Sequence, residues 1–145
     1  MALSGEYEPS PWQPIAEQVA AYESTDGVEG GEMQGAPCII LTTLGAKSGK
    51  LRKTPLIQVT DGINYAVVGS MGGAPNSPQW VHNLRTNPVA ELQDHASRRE
   101  YSVREVEGEE KAAWWERSVE AWPSYDEYQA NTERVIPVFV LEPND

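Results

Sequence analysis

PCIILTTLGAKSGKLRKTPLIQVTDGINYAVVGS, residues 37–70, is the stretch that decides the fold. It opens with an apolar run from Pro37 to Leu44 that stops at Gly45. Thr54 to Thr60 forms a second run and Ile63 to Ser70 a third. Each is short, rich in β-branched residues and bounded by turn formers, so all three read as strands. Asp61-Gly62 predicts a hairpin between the last two, because both residue types tolerate positive φ. Between the first two runs lies a basic, glycine-containing loop. Residues 43–54 hold four of the eleven Lys and Arg. From residue 37 to 90, Lys47, Lys50, Arg52, Lys53 and Arg85 face a single acid, Asp61. That window is +4 in a chain of net charge -11, so the remainder is -15. Confined positive charge on an anionic chain points to a local anion site. The bland alternative is a hairpin loop with solvated charges. Nucleic-acid binding would need positive charge spread over a face, and none is present.

Outward from this stretch the patterning stays local. Residues 1–14 carry Pro9, Pro11 and Pro14 and are expected to be extended or loose. Pro14 to Tyr22 predicts a short helix with Ile15, Val19 and Tyr22 on one face. Thr25 to Gly35 reads as a Gly- and Glu-rich loop. These elements set residues 1–36 apart as an N-terminal extension before a domain spanning 37–145. After Gly69-Ser-Met-Gly-Gly-Ala-Pro75, Ser77-Pro78 predicts a capped helix running from Pro78 to about Arg85. Val89 to Asp94 and Arg99 to Val106 read as strands, turning at His95-Ala96-Ser97. Glu109 to Ala121 reads as a helix, with Ala112, Trp115 and Val119 on one face. Ser124-x-x-Glu127 resembles a capping box for a short last helix, and Val135 to Leu141 is a final strand. About six antiparallel strands with three to four short helices, linked by short turns, predict a mainly β (α+β) barrel rather than a parallel sheet.

Composition narrows the chemistry. Cys38 is the single cysteine, which excludes an internal disulfide and a cysteine-based zinc site. It sits in an apolar run and reads as a small core residue. His82 reads as a surface or core-edge residue. No second histidine or carboxylate lies at ligand spacing from it, so no metal is expected. The basic loop lacks the Walker spacing, and no dinucleotide fingerprint is present. No stretch approaches the roughly 20 apolar residues of a membrane span. The N-terminus also lacks the basic and apolar regions of a signal peptide. Both point to a cytoplasmic protein without integral membrane contact.

Three segments in order resemble one family. They are Thr43-Leu-Gly-Ala-Lys-Ser-Gly-Lys-Leu-Arg-Lys-Thr-Pro-Leu56, then Gly69 through Pro88, then Trp122-Pro-Ser-Tyr-Asp-Glu-Tyr-Gln129 followed by Arg134-Val-Ile-Pro-Val. Together they are similar to the deazaflavin-dependent nitroreductases of actinobacteria, which use coenzyme F420 on a split β-barrel. The likeness covers roughly residues 37–142. It implies an oxidoreductase that passes hydride from the reduced deazaflavin to a small planar electrophile, a quinone or nitroaromatic. An FMN-binding split-barrel reductase and a non-catalytic deazaflavin carrier stay open as alternatives.

The resemblance also assigns residues. The coenzyme carries a phosphodiester and a polyglutamate tail, and Lys47, Ser48 and Arg52 match the family's phosphate contacts. Thr54, Pro55, Leu56 and Ile57 on one strand match the lining of the deazaflavin ring. Val68, Gly69 and Ser70 match it on the next segment, where Gly69 and Gly73 permit close backbone approach and Met71 is also assigned to the cofactor. Plain strand ends and a tight turn explain the glycines equally well. Pro78, Gln79, Trp80 and Asn83 match a short helix that helps hold the cofactor, though Trp80 reads equally as core. Trp122, Tyr125 and Tyr128 match an aromatic cluster that shapes the substrate pocket. Ser70 with Tyr125 or Tyr128 is then expected to donate hydrogen bonds or a proton to the acceptor. Many relatives carry Lys in place of Met71 and Arg in place of Ala46, so two anion contacts are missing here. The oligomeric state expected is a monomer or homodimer.

Overall fold

The computed structural model describes residues 3–144. Strand β2 (Ala36–Leu44) and strand β3 (Leu51–Ile57) pair antiparallel in register from Leu44↔Leu51 to Cys38↔Ile57. The basic loop is therefore the turn of this hairpin, and Arg52 and Lys53 belong to β3 itself. The strand begins three residues before the apolar run that announces it. Cations suit an edge strand, whose outer side faces water, yet they read as loop in a one-letter pattern.

The second expected hairpin forms only at its tip. Asp61 Oδ1 accepts from the amides of Ile63 (2.9 Å) and Asn64 (2.7 Å), which fixes the Asp61-Gly62 turn. Below it, only a Thr60–Tyr65 bridge and a bond from Ala66 N to Val59 O join the two arms. Then the arms part. Strand β4 (Tyr65–Val68) pairs with β7 (Val138–Pro143), while β3 stays on β2. Strands β5 (Val89–Asp94) and β6 (Ser97–Glu105) complete the order β3-β2-β5-β6-β7-β4. A two-residue strand, β1 (Glu32–Met33), is added on the N-terminal end of β2. The result is a curled antiparallel sheet, a split half-barrel whose margins are β3 and β4.

Four α-helices cover it: α1 (Gln13–Thr25), α2 (Gln79–Thr86), α3 (Gly108–Ala121) and α4 (Ser124–Ala130). Inside the curl, Ile39, Leu41, Val67, Leu92, Phe139 and Leu141 pack around Trp80, Val81 and Leu84 of α2. Outside it, α3 and α4 cover Ala66, Val68, Val138 and Val140. Helix α1 covers Cys38 and Ile40 through Val19 and Tyr22. Strands buried on both faces explain why β2, β4 and β7 read as continuous apolar runs rather than alternating ones. Cys38 is a fully buried core residue, and burial, with Glu32 adding, pushes its thiol up to about 11.

Two expected caps are absent. Helix α2 starts one residue later than expected, with Pro78 at its N-cap and no side-chain cap bond. Helix α4 has Pro123 there, so the Ser124 capping box does not form. The loop expected before β2 contains β1 and a two-residue turn at Gln34 (φ 51°) and Gly35 (φ 83°). Positive φ at both centres suits a tight hairpin. The last strand begins at Val138 rather than Val135, which is 74% exposed.

Candidate functional site

Where the barrel splits, a cavity of about 510 Å³ opens. One wall is β3, from Arg52 to Ile57. The bond from Gly45 N to Lys50 O and the bond from Gln58 N to Pro37 O fix the phase of the β2–β3 ladder. By alternation, the backbone groups of Lys53, Pro55 and Ile57 point away from β2, toward the split. Pro55 has no N–H to lose there, which is where an edge tolerates proline. The facing wall is Val68, Ser70 and Met71, at the end of β4 and in the single 3₁₀ turn Met71–Gly73. Pro78, Gln79, Trp80 and Asn83 close one side from α2; Trp122, Tyr125 and Tyr128 close another.

The aromatic side is a packed cluster. Tyr125 stands edge-on to Tyr128, with ring centroids 6.1 Å apart, and tilted against Trp115 at 6.2 Å. Trp122 Nε1 donates to Tyr128 Oη at 3.3 Å, so the Tyr128 proton remains free to be donated. Tyr125 is only 6% exposed and its hydroxyl makes no hydrogen bond within the described residues. Burial above all, and then Tyr128, pushes its pKa well above the ordinary phenol value. It is therefore a neutral donor at any physiological pH. Ser70 is equally buried, and its hydroxyl is likewise unbonded within the described residues. Two hydroxyls without protein partners, on residues otherwise buried, line one cavity; no fully buried side-chain oxygen among the described residues lacks a partner, so both oxygens open into that cavity.

Two polar residues build this wall rather than face a ligand with free atoms. Asn83 is buried; its Nδ2 donates to Thr43 Oγ1 (3.0 Å) and its Oδ1 accepts from Ala46 N (2.9 Å). It ties the base of the basic turn to α2. Arg134 donates to Ser70 O (2.7 Å), Ala74 O (2.8 Å) and Ser77 Oγ (3.3 Å). That fan holds residues 70–77 against the segment before β7. Arg134 stands in the third sequence segment, but its role is legible only once the loop it clamps is seen.

Four expected residues lie off the lining. Lys47 and Ser48 are exposed on the turn tip. Gly69 and Gly73 sit behind the wall, and protein fills the space beside them. A Cβ on Gly69 would meet Val81 at 2.7 Å and Pro137 at 2.9 Å. One on Gly73, at φ +82°, would meet Tyr128 O at 2.8 Å. The sequence also misses part of the site. Ser10, Ile15, Met33 and Gln34 line the cavity from the N-terminal 36 residues, and Lys53 from β3. The Gln34-Gly35 pair before the first long strand is the signal that could have placed the hairpin. Trp80 answers both of its readings, lining the cavity while standing edge-on to Phe139 in the barrel core. His82 is exposed.

Known proteins bear on this site. The family model described as F420H(2)-dependent quinone reductase matches residues 15–143. An F420H(2)-dependent quinone reductase of Mycobacterium tuberculosis is 38% identical over 126 residues, covering 84% of this chain and 85% of that protein. A solved structure of an F420-H2 dependent reductase is 47% identical, with TM-score 0.70 over 73% of this chain and 94% of the other. Another, described as a domain-swapped dimer, is 43% identical, with TM-score 0.73 over 87% and 92%. The extent of the first match and the identity of the second leave one assignment: the chain belongs to the F420H(2)-dependent quinone reductase family.

Proposed function

We infer that this chain is a quinone reductase that takes its hydride from reduced coenzyme F420. The observation that carries the reading is the pair of unbonded hydroxyls, Ser70 and Tyr125, that open into the cavity of a chain that belongs to this family. The cavity suits the cofactor's chemistry. A planar ring needs a flat apolar slot, and Pro55, Leu56, Ile57 and Val68 supply one. A heterocycle edge needs main-chain partners, and the free margin of β3 offers them. The anionic phosphodiester needs fixed cations, and Arg52 stands at the end of the same wall, with Lys47 and Ser48 on the turn beside it.

When bound, reduced coenzyme F420 supplies a hydride to the acceptor; this chain's residues orient the pair and manage charge. Trp122, Tyr125 and Tyr128 present aromatic faces against which a planar acceptor stacks. Electron transfer builds negative charge on a quinone oxygen. The Tyr125 phenol, held neutral by its surroundings, donates a hydrogen bond to that oxygen, and Ser70 supports it. Tyr128, its oxygen already engaged by Trp122, has one proton to give. Nitroaromatics share the planar electrophilic form and make a second acceptor class. The domain-swapped relative supports a homodimer, and a cytoplasmic location is part of the same reading.

The test is anaerobic oxidation of reduced coenzyme F420 by purified protein with menadione, followed by absorbance. Enzyme-dependent oxidation is expected, with FMN giving no comparable turnover. Tight cofactor binding without turnover on any quinone would instead mark a carrier.

A further inference from the structure

Three of the four cations of the basic hairpin already have partners, and the partners come from the first 36 residues. Residues 6–8 lie along β3 as an added strap. Leu51 N donates to Glu6 O at 2.8 Å, Glu8 N donates to Leu51 O at 2.9 Å, and Tyr7 bridges Leu51 in parallel. This strap sets Glu8 beside the cavity's basic end. Arg52 Nη1 donates to Glu8 Oε2 at 3.0 Å, and Lys50 Nζ lies 3.7 Å from Glu8 Oε1. Lys53 is occupied too, by Glu23 of α1, while its ammonium stands 4.8 Å over the Tyr7 ring. Lys47 is the hairpin cation with no ion-pair partner among the described residues.

We propose that Glu8 is a resident carboxylate that holds the anion position on Arg52 and must swing away when the cofactor's phosphate arrives. The proposal rests on the cofactor reading above and adds a residue that lowers affinity and eases release. Arg52 lines the cavity and its side chain is only one third exposed, so an anion entering there comes close to Glu8. Two like charges beside one guanidinium repel, and partial burial weakens screening. Glu8 is 39% exposed, so its carboxylate has solvent to turn into. The strap is fixed by main-chain bonds, so it stays in place when the side chain changes.

Wild type, Glu8→Gln, Arg52→Ala and the double variant are titrated with oxidised coenzyme F420, read by tryptophan quenching at low and physiological salt. Glu8→Gln is expected to bind at least threefold tighter than wild type, with the gain larger at low salt. The double variant is expected to match Arg52→Ala within twofold, because the carboxylate acts through that guanidinium. Equal or weaker binding by Glu8→Gln, while Arg52→Ala still weakens it, overturns the proposal and makes Glu8 an orienting partner of Arg52. Arg52→Ala binding like wild type, or no binding by any of the four, fails the cofactor site itself and this inference with it.

Discussion

At the scale of single residues, the site depends on groups whose hydrogen-bonding capacity the protein leaves unused. Tyr125 is the sharpest case: a largely buried residue whose phenol, held neutral, opens into the cavity with no partner among the described residues. Tyr125→Phe is expected to lower kcat for quinone reduction about tenfold or more, with coenzyme F420 affinity changed less than twofold. Equal kcat across several acceptors would remove the phenol from charge stabilisation. Arg52→Ala is expected to weaken cofactor binding at least tenfold in a fluorescence titration while leaving Tm within a few degrees. The loss of one charge-assisted contact, about 1.5–3 kcal/mol, is of that size. Asn83 works differently, because both ends of its amide are spent on Thr43 and Ala46. Asn83→Ala strands the Ala46 amide and is expected to cost about 1–3 kcal/mol of stability, measured by denaturant unfolding.

Among the elements, the 3₁₀ turn after β4 shows how backbone form sets the site. Gly73 takes φ +82° with Tyr128 O where its Cβ would be. Gly73→Ala is expected to destabilise the fold by about 1–3 kcal/mol and to displace α4 and its aromatic cluster, seen as a lower Tm together with altered tryptophan emission. Much at this scale was legible in the sequence. Apolar runs bounded by Gly, Pro and Asp-Gly marked β2, β4 and the second half of β3. The three ordered segments named most of the elements that line the cavity, but not the first 36 residues, which add Ser10, Ile15, Met33 and Gln34. What escaped has physical reasons. The first three residues of β3 are Leu51, Arg52 and Lys53, and two cations on an edge read as loop. The N-terminal strap joins the sheet through main-chain bonds at the single residue Leu51, too short a pairing to leave a periodic side-chain pattern. Asp61-Gly62 makes its turn, but whether the strands below it zip or part is decided by which neighbours β3 and β4 find. They find β2 and β7, and the parting is the site.

For the molecule as a whole, the curled sheet is pinned by a polar knot on Asp94, whose members do not line the cavity. Its carboxylate accepts from Tyr65 Oη (2.6 Å) and Gln58 Nε2 (2.8 Å) and meets His95 Nδ1 at 2.8 Å. Burial pushes its pKa up, but hydrogen bonds from Tyr65, His95 and Gln58 outweigh that and hold it below the ordinary 3.8. Its folded pKa is depressed, so its contribution to stability is present above 3.8 and lost as pH falls through the folded value. Asp94→Asn should therefore flatten the acid limb of a Tm-against-pH curve, whereas an unchanged limb would show that the knot does not couple to folding. We propose that the split itself seats an anionic deazaflavin against β3, with its phosphate end at Arg52. A binding titration with oxidised coenzyme F420 and, separately, FMN tests this most directly. The account predicts saturable quenching by coenzyme F420 that is lost or weakened at least tenfold in Arg52→Ala, and weaker binding of FMN. Equal affinity for both flavins, unaffected by Arg52→Ala, would contradict it.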